Sequence, residues 1–156
     1  MVRQKVLLFC DPGIDDSIAI MYALLNPALD VVGIVSGYGN VEQEQATQNT
    51  AFLISLANRE DIVLIGGAKS PLSGEFTPYY PEIHGEEGLG PIRPPETIVG
   101  ELLNIDEVFK LIEKYGKELM IVDVGRSTSL AICFNLAGAD IMNSVSYFYL
   151  MGGAFF

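Results

Sequence analysis

Three carboxylates crowd into six residues near the start of the chain, Asp11-Pro12-Gly13-Ile14-Asp15-Asp16. They follow an apolar run, Val6-Leu7-Leu8-Phe9-Cys10, and precede a helical pattern from Ser17 to Leu25. The turn therefore lies where a buried strand ends and a helix begins, the place where open α/β sheets bind ligands. Like charges this close repel, and a hard cation with oxygen ligands is the simplest group to hold them together. Gly13 allows a sharp turn, and Pro12 stiffens the approach to it. Asp15 is placed to cap the helix, Asp16 falls in its first turn, and Asp11 stands at the strand tip. Such a turn can fold Asp11 back toward Asp16, so that both face one ion. Helix capping and the helix dipole account for Asp15, and in part for Asp16, with no ligand at all. They leave Asp11 and the Pro-Gly between them unexplained.

The elements that must position this turn can be read from the hydrophobic pattern. Val6–Cys10, Leu29–Ser36, Ile62–Ile65, Leu119–Val124 and Val145–Met151 are continuous apolar runs, as strands covered on both faces should be. Helical stripes separate them: Ala46, Thr50, Leu53, Ile54 and Ala57; then Val108, Leu111, Ile112 and Tyr115; then Leu130, Ala131, Phe134 and Ala137. Gly116 and Gly138 are predicted helix stops. This alternation predicts an α/β fold, a mostly parallel open sheet with helices on both faces and β1 central. Residues 1–156 are expected to form a single domain.

Composition narrows the partners. The chain is 49% hydrophobic and 19% charged, which is a globular balance. Its net charge of −11 argues against nucleic-acid backbones and anionic membranes and suits a neutral or cationic small ligand, or bound metal. Cys10 and Cys133 read as reduced, buried thiols. Met1–Lys5 leads straight into a strand with no signal-peptide pattern, so a cytoplasmic protein is the expectation.

One segment breaks the rhythm. Lys69 to Gly100 holds six of the eight prolines, and a loop this long in a compact domain is usually functional or disordered. Its middle, Ile83-His84-Gly85-Glu86-Glu87-Gly88-Leu89-Gly90, carries the single histidine between glycines, the composition of a mobile flap.

The Asp11–Asp16 turn resembles the N-terminal signature of the inosine–uridine-preferring nucleoside hydrolases. Gly37-Tyr38-Gly39-Asn40 resembles the family's Gly-Asn turn, Ile83–Gly90 its histidine loop, and Leu150-Met151-Gly152-Gly153 its central strand end. The four matches occur in the family's order and span the chain, which corresponds to about the N-terminal half of a family domain. The resemblance implies hydrolysis of the N-glycosidic bond of ribonucleosides to ribose and free base, with Ca2+ as cofactor, in nucleoside salvage. It implies that Asp11 ligates calcium and acts as general base on a calcium-bound water. It makes Asp16 a carboxylate ligand and Val124 a ligand through its backbone carbonyl. Asp15 and Asn40 would hydrogen-bond ribose hydroxyls, His84 would approach the 5′ end of the sugar, and Met151 would line the sugar pocket. A homo-oligomer that takes small ribonucleosides, and neither nucleic acid nor membrane, is expected.

The chain departs from the family in two places. Phe9 stands where an aspartate is usual, and Asp123-Val124-Gly125-Arg126-Ser127-Thr128-Ser129 is a divergent form of a Gly-rich turn, with Ser129 where asparagine is common. The family's later ribose-gripping segment and C-terminal metal aspartate have no counterpart here. Apolar surface is therefore expected near Tyr147, Tyr149 and Phe155. The alternative reading is a truncated or degenerate domain that binds calcium or ribose without turnover. A haloacid-dehalogenase-type phosphatase would need its nucleophile at Phe9, and a dinucleotide site would need Gly-x-Gly-x-x-Gly in place of Asp11-Pro12-Gly13.

Overall fold

Unbroken apolar strands need cover on both sides, and the chain supplies it with one parallel sheet between two helical layers. The computed structural model describes residues 2–75, 78–96 and 101–153. In chain order the elements are β1 (Gln4–Cys10), α1 (Ile14–Leu25), β2 (Leu29–Ser36), α2 (Gln43–Leu56), β3 (Val63–Gly66) and α3 (Pro81–His84). They continue with β4 (Leu102–Leu103), α4 (Glu107–Tyr115), a 3-10 turn (Gly116–Glu118), β5 (Leu119–Asp123), α5 (Thr128–Met142) and β6 (Tyr147–Leu150). The strand order is β4-β3-β2-β1-β5-β6, and every neighbouring pair is parallel. The expected parallel sheet, with β1 inside it, is therefore present.

Alternation along β1 divides the core. Val6, Leu8 and Cys10 join Ile20 and Leu24 of α1 and Leu53 and Ile54 of α2 in one buried cluster. Leu7 and Phe9 point the other way, into a cluster with Val108 and Ile112 of α4, Ile121 of β5, and Leu130 and Cys133 of α5. Both cysteines are free and buried, as expected. No helix among the described residues is long and apolar enough to cross a membrane.

The differences from expectation are local. The helix α1 begins at Ile14, not Ser17, and its N-cap is Gly13, with no side-chain cap bond. Asp15 is thus a first-turn residue and not the cap. Gly13 serves through its carbonyl, which accepts Ser17 N–H at 3.0 Å and Ser17 Oγ at 2.6 Å. Gly116 ends α4 as predicted, with φ 48°. Gly138 breaks the helical dihedrals of α5 at φ 78°, but the helix resumes and reaches Met142. The two-residue β4 and four-residue α3 escape a periodicity reading because neither completes a period.

Coverage is uneven on the α1 side of the sheet. Ile18 and Tyr22 of α1 are exposed, and so are Tyr147 and Tyr149 of β6. Between these groups, Met120, Val122 and Val124 help line an apolar cavity of about 480 Å³. Apolar surface near Tyr147 and Tyr149 thus matches the expectation; Phe155, named with them, lies outside the described residues, as do Ala154 and Phe156.

The contrast between the two faces of α1 and the sheet interior gives a stability prediction. Ile121, fully buried between β1 and α5, should lose about 2–5 kcal/mol on Ile121→Ala through lost burial and a cavity. Ile18→Ala, at a position 68% exposed, should change stability by no more than about 0.5 kcal/mol. Urea unfolding monitored by circular dichroism measures both.

Candidate active site

The strand order reverses at β1: β2, β3 and β4 lie on one side of it and β5 on the other. Ligands of open α/β sheets bind outside the carboxyl ends of strands at such a switch point. Asp11 follows the last residue of β1 there, and Val124 and Gly125 follow β5.

Asp11 and Asp16 are both buried, 5% and 3% exposed. The turn does fold back. Asp11 N–H donates to Asp16 Oδ2 at 3.0 Å. Asn40 N–H donates to Asp11 Oδ2 at 2.8 Å, and Asn40 Nδ2 donates to the Asp11 carbonyl at 3.1 Å. Gly39 backs directly onto the carboxyl, and a Cβ there would collide with Asp11 Oδ2. A Cβ on Gly125 would come within 3.0 Å of Asp11 Oδ1. The Gly-Asn turn after β2 and the turn after β5 thus form two walls of one carboxylate cradle.

Burial pushes both carboxyls well above the ordinary range. Repulsion from Asp11 raises Asp16 further, while a hydrogen bond with Asp16, the Asn40 N–H and the Arg126 charge pull Asp11 back down. The pair holds its protons jointly. Its chemistry is that of a site built for positive charge: two desolvated oxygen donors whose repulsion a cation would relieve.

The other predicted residues are arranged around this pair. Asp15 lies at the mouth, its side chain 68% exposed, with Oδ1 3.7 Å from His84 Nδ1. His84 is buried, and its Nδ1 accepts Ile14 N–H at 3.2 Å, which puts the ring proton on Nε2. The 3.7 Å approach to Asp15 is then a contact between two acceptors and not an ion pair. The histidine loop is therefore docked on the Asp11–Asp16 turn. Val124 N–H donates to Phe9 O at 3.0 Å, which fixes the backbone beside β1. Met151 N–H donates to Asp123 O at 2.8 Å, and the residue, 58% exposed, helps line an open cavity of about 750 Å³ with Tyr38, Gly125, Arg126 and Ser127.

Two residues that the sequence reading passed over belong to this region. Asp123 is buried at the end of β5; its Oδ1 accepts Gly125 N–H at 3.1 Å, and its Oδ2 has no hydrogen-bond partner among the described residues. Burial raises its carboxyl, and Ser127 and the Gly125 N–H oppose the rise. The signal was an acid closing an apolar strand run. Asn49, buried inside α2, bonds to the Asp11–Asp16 turn and to the histidine loop together. An amide on the buried stripe of an otherwise ordinary helix was its only trace.

Asp11 and Asp16 offer carboxylate oxygens, a donor chemistry that fits a hard cation. They form part of a shell, since no three His, Cys, Asp or Glu side chains among the described residues are grouped to hold a metal.

The raised carboxyls make stability depend on pH. In the folded metal-free chain the pair keeps a proton that the unfolded chain, with carboxyls near 3.8, has already released. Its contribution is complete below that value and is lost as pH rises through the elevated folded values. Thermal unfolding in the presence of a chelator should show a melting temperature that falls from the ordinary carboxylate range toward neutral pH. Asp16→Asn should flatten that fall.

Comparisons with known proteins concern nearly the whole chain. The sequence model of the inosine-uridine preferring nucleoside hydrolase family matches residues 6–156. Uridine nucleosidase 1 of Arabidopsis thaliana is 32% identical over 156 residues, 99% of this chain and 46% of that protein. The pyrimidine-specific ribonucleoside hydrolase RihA of Escherichia coli K12 is 36% identical over 151 residues, 96% of this chain and 48% of that protein. Among solved structures, the plant nucleoside hydrolase PpNRh1 superposes with a TM-score of 0.87 at 32% identity, over 98% of this chain and 49% of its own. A purine-preferring ribonucleoside hydrolase from Gardnerella vaginalis gives a TM-score of 0.86 at 29% identity, over 96% and 49%. The chain spans about half the length of these relatives. A signature turn at the switch point, a cradle shared by two glycine-bearing turns, and a match along nearly the whole chain lead to one assignment: the chain belongs to the inosine-uridine preferring nucleoside hydrolase family.

Proposed function

We propose that this chain carries the catalytic face of a ribonucleoside hydrolase, which adds water across the N-glycosidic bond and releases ribose and free base. The observation that carries the proposal is the buried Asp11–Asp16 pair at the carboxyl end of β1. The relatives' names divide between pyrimidine and purine preference. What those substrates share is the ribose and its bond to the base, and the proposal is confined to that part.

Calcium is the proposed cofactor, held by the carboxylates of Asp11 and Asp16 and the backbone carbonyl of Val124; the all-oxygen donor set and the unrelieved repulsion of the pair support it. When bound, calcium would bring the sugar diol and a water together and make that water more acidic. Asp11 takes the proton of the attacking water as general base. Asp15, exposed at the mouth, and Asn40, already bonded to Asp11, hydrogen-bond ribose hydroxyls. His84 meets the 5′ end, and Met151 lines the sugar pocket from the β6 side. The carboxylates also favour the positive charge that develops on the sugar as the bond to the base stretches. A net charge of −11 suits a neutral nucleoside and disfavours nucleic acid and anionic membrane. A cytoplasmic homo-oligomer, associating through exposed apolar surface such as Tyr147 and Tyr149, completes the proposal.

Asp11→Asn keeps the shape of the side chain but neither accepts the proton nor supplies full charge. Release of base from inosine or uridine, followed as reducing sugar, should fall by about 10²–10⁴-fold. The 156-residue chain alone should turn over far more slowly than a full-length relative assayed beside it. If it binds calcium yet releases no base in any assembly state, the alternative reading as a binding domain without turnover is favoured.

Calcium affinity gives a test that needs no turnover. Asp11→Ala should weaken binding by at least about tenfold in titration calorimetry, since it removes one of two carboxylate donors. Unchanged affinity would place the metal elsewhere.

A further inference from the structure

Asn49 lies in the middle of α2 and is fully buried. Its Nδ2 spends both protons across two different segments, donating to the Pro12 carbonyl at 3.0 Å and to the Glu87 carbonyl at 2.7 Å. Its Oδ1 accepts Gln45 Nε2 at 3.0 Å. The opposite amide orientation would set an oxygen against two carbonyls and lose both bonds, so the donors are fixed by their partners. Pro12 belongs to the Asp11–Asp16 turn and Glu87 to the histidine loop.

The loop is folded tightly enough for this one tether to reach His84. Gly88 N–H donates to Gly85 O at 3.1 Å, and Gly90 N–H donates to His84 O at 2.8 Å. Gly88, with φ 83°, passes directly over the tether: a Cβ there would lie 2.9 Å from both Asn49 Nδ2 and the Pro12 carbonyl. His84 then reaches back to the first turn of α1, where its Nδ1 accepts the Ile14 N–H, one of the first helix donors that have no intrahelical partner. Leu89 is buried and anchors the loop without direction, and the exposed Arg93–Glu87 ion pair adds little. Neither sets where the imidazole sits. The Asn49 bonds, together with the His84–Ile14 bond, are the directional side-chain contacts among the described residues that tie this loop to the Asp11–Asp16 turn.

We infer that Asn49 is a positioning residue: its amide latches the histidine loop onto the Asp11–Asp16 turn and so sets the place of the His84 imidazole in the site. The inference deepens the hydrolase reading and rests on His84 and Asp11 serving one substrate. Its consequence can be read without substrate or metal.

His84 is the single histidine, so its imidazole resonances are unambiguous in the 15N-labelled full chain. In the unaltered chain, long-range proton–nitrogen spectra should show the Nε2–H tautomer, and the Ile14 amide should exchange slowly. Asn49→Ala removes the latch from the helix side, and Gly88→Ala displaces it from the loop side. In whichever variant stays folded by circular dichroism, the tautomer preference should be lost and Ile14 should exchange at least about tenfold faster. Thr50→Ala serves as the control, because Thr50 is a buried neighbour whose hydroxyl donates to Ala46 O within the same helix and also meets the Cys10 thiol, and neither of these contacts reaches the histidine loop. It should lower the melting temperature and leave His84 and Ile14 unchanged. A folded Asn49→Ala or Gly88→Ala chain with His84 and Ile14 unaltered would overturn the inference. So would the unfolding of both variants, or a Thr50→Ala chain with the same shifts, since either would assign Asn49 to core stability alone. Because turnover and calcium binding are not measured, a failure of the hydrolase reading appears in other experiments.

Discussion

A carboxyl group taken out of water at the end of a central strand is costly, and much of the carboxyl end of this sheet is organised around that cost. Asp11 is 5% exposed where it lies, so backbone groups take the place of most of its bulk water. Asn40 N–H meets one oxygen, Asp11's own N–H meets Asp16, and the Gly39 backbone comes against the carboxyl closely enough to exclude a side chain. These contacts reduce the penalty without removing it, and the pair remains strained toward protonation. A structure that only needed a helix start would have left these acids in solvent, as it leaves Asp15.

The cradle depends on strands distant in the chain being neighbours in the sheet. The three turns that meet at Asp11 follow β1, β2 and β5, which the parallel topology sets side by side with their carboxyl ends aligned. The sheet thus does the positioning, and the turns need only be short and free of bulk. Around that fixed centre sit the parts with more freedom: the histidine loop on one side, and the open cavity beside Met151 and Arg126 on the other.

Much of this was legible before any coordinates, and the limits have physical causes. The longer strands and the three buried helical stripes follow from apolar periodicity, which burial on both faces of a sheet enforces. The Asp11–Asp16 approach was foreseeable because a Pro-Gly turn leaves few paths. Side-chain partners were less visible. Asp15 reads as a cap by residue type, yet Gly13 is the N-cap of α1 with no side-chain cap bond, and the distant His84 ring takes the Ile14 N–H. Asn49 acts through contacts far away in sequence, with Pro12 and Glu87, which no local pattern encodes, whereas Asp123 bonds locally to Gly125 and is hidden only in its burial. Met151 could have been core or pocket; only the edge position of β6 shows that it faces out.

The strand order also bears on how the chain acquires its site during synthesis. The Asp11 turn and the Gly39 wall emerge within the first forty residues, but the Gly125 wall follows β5, which lies more than one hundred residues after β1. Before β5 is made, β1 has β2 as its partner on one edge, and the Gly125 side of the cradle is open. Closing a pairing of such sequence separation carries a large loop entropy and is slow. The cradle is therefore complete only once Gly125 has been made, and a chain halted before it would have the acids without one of their two walls.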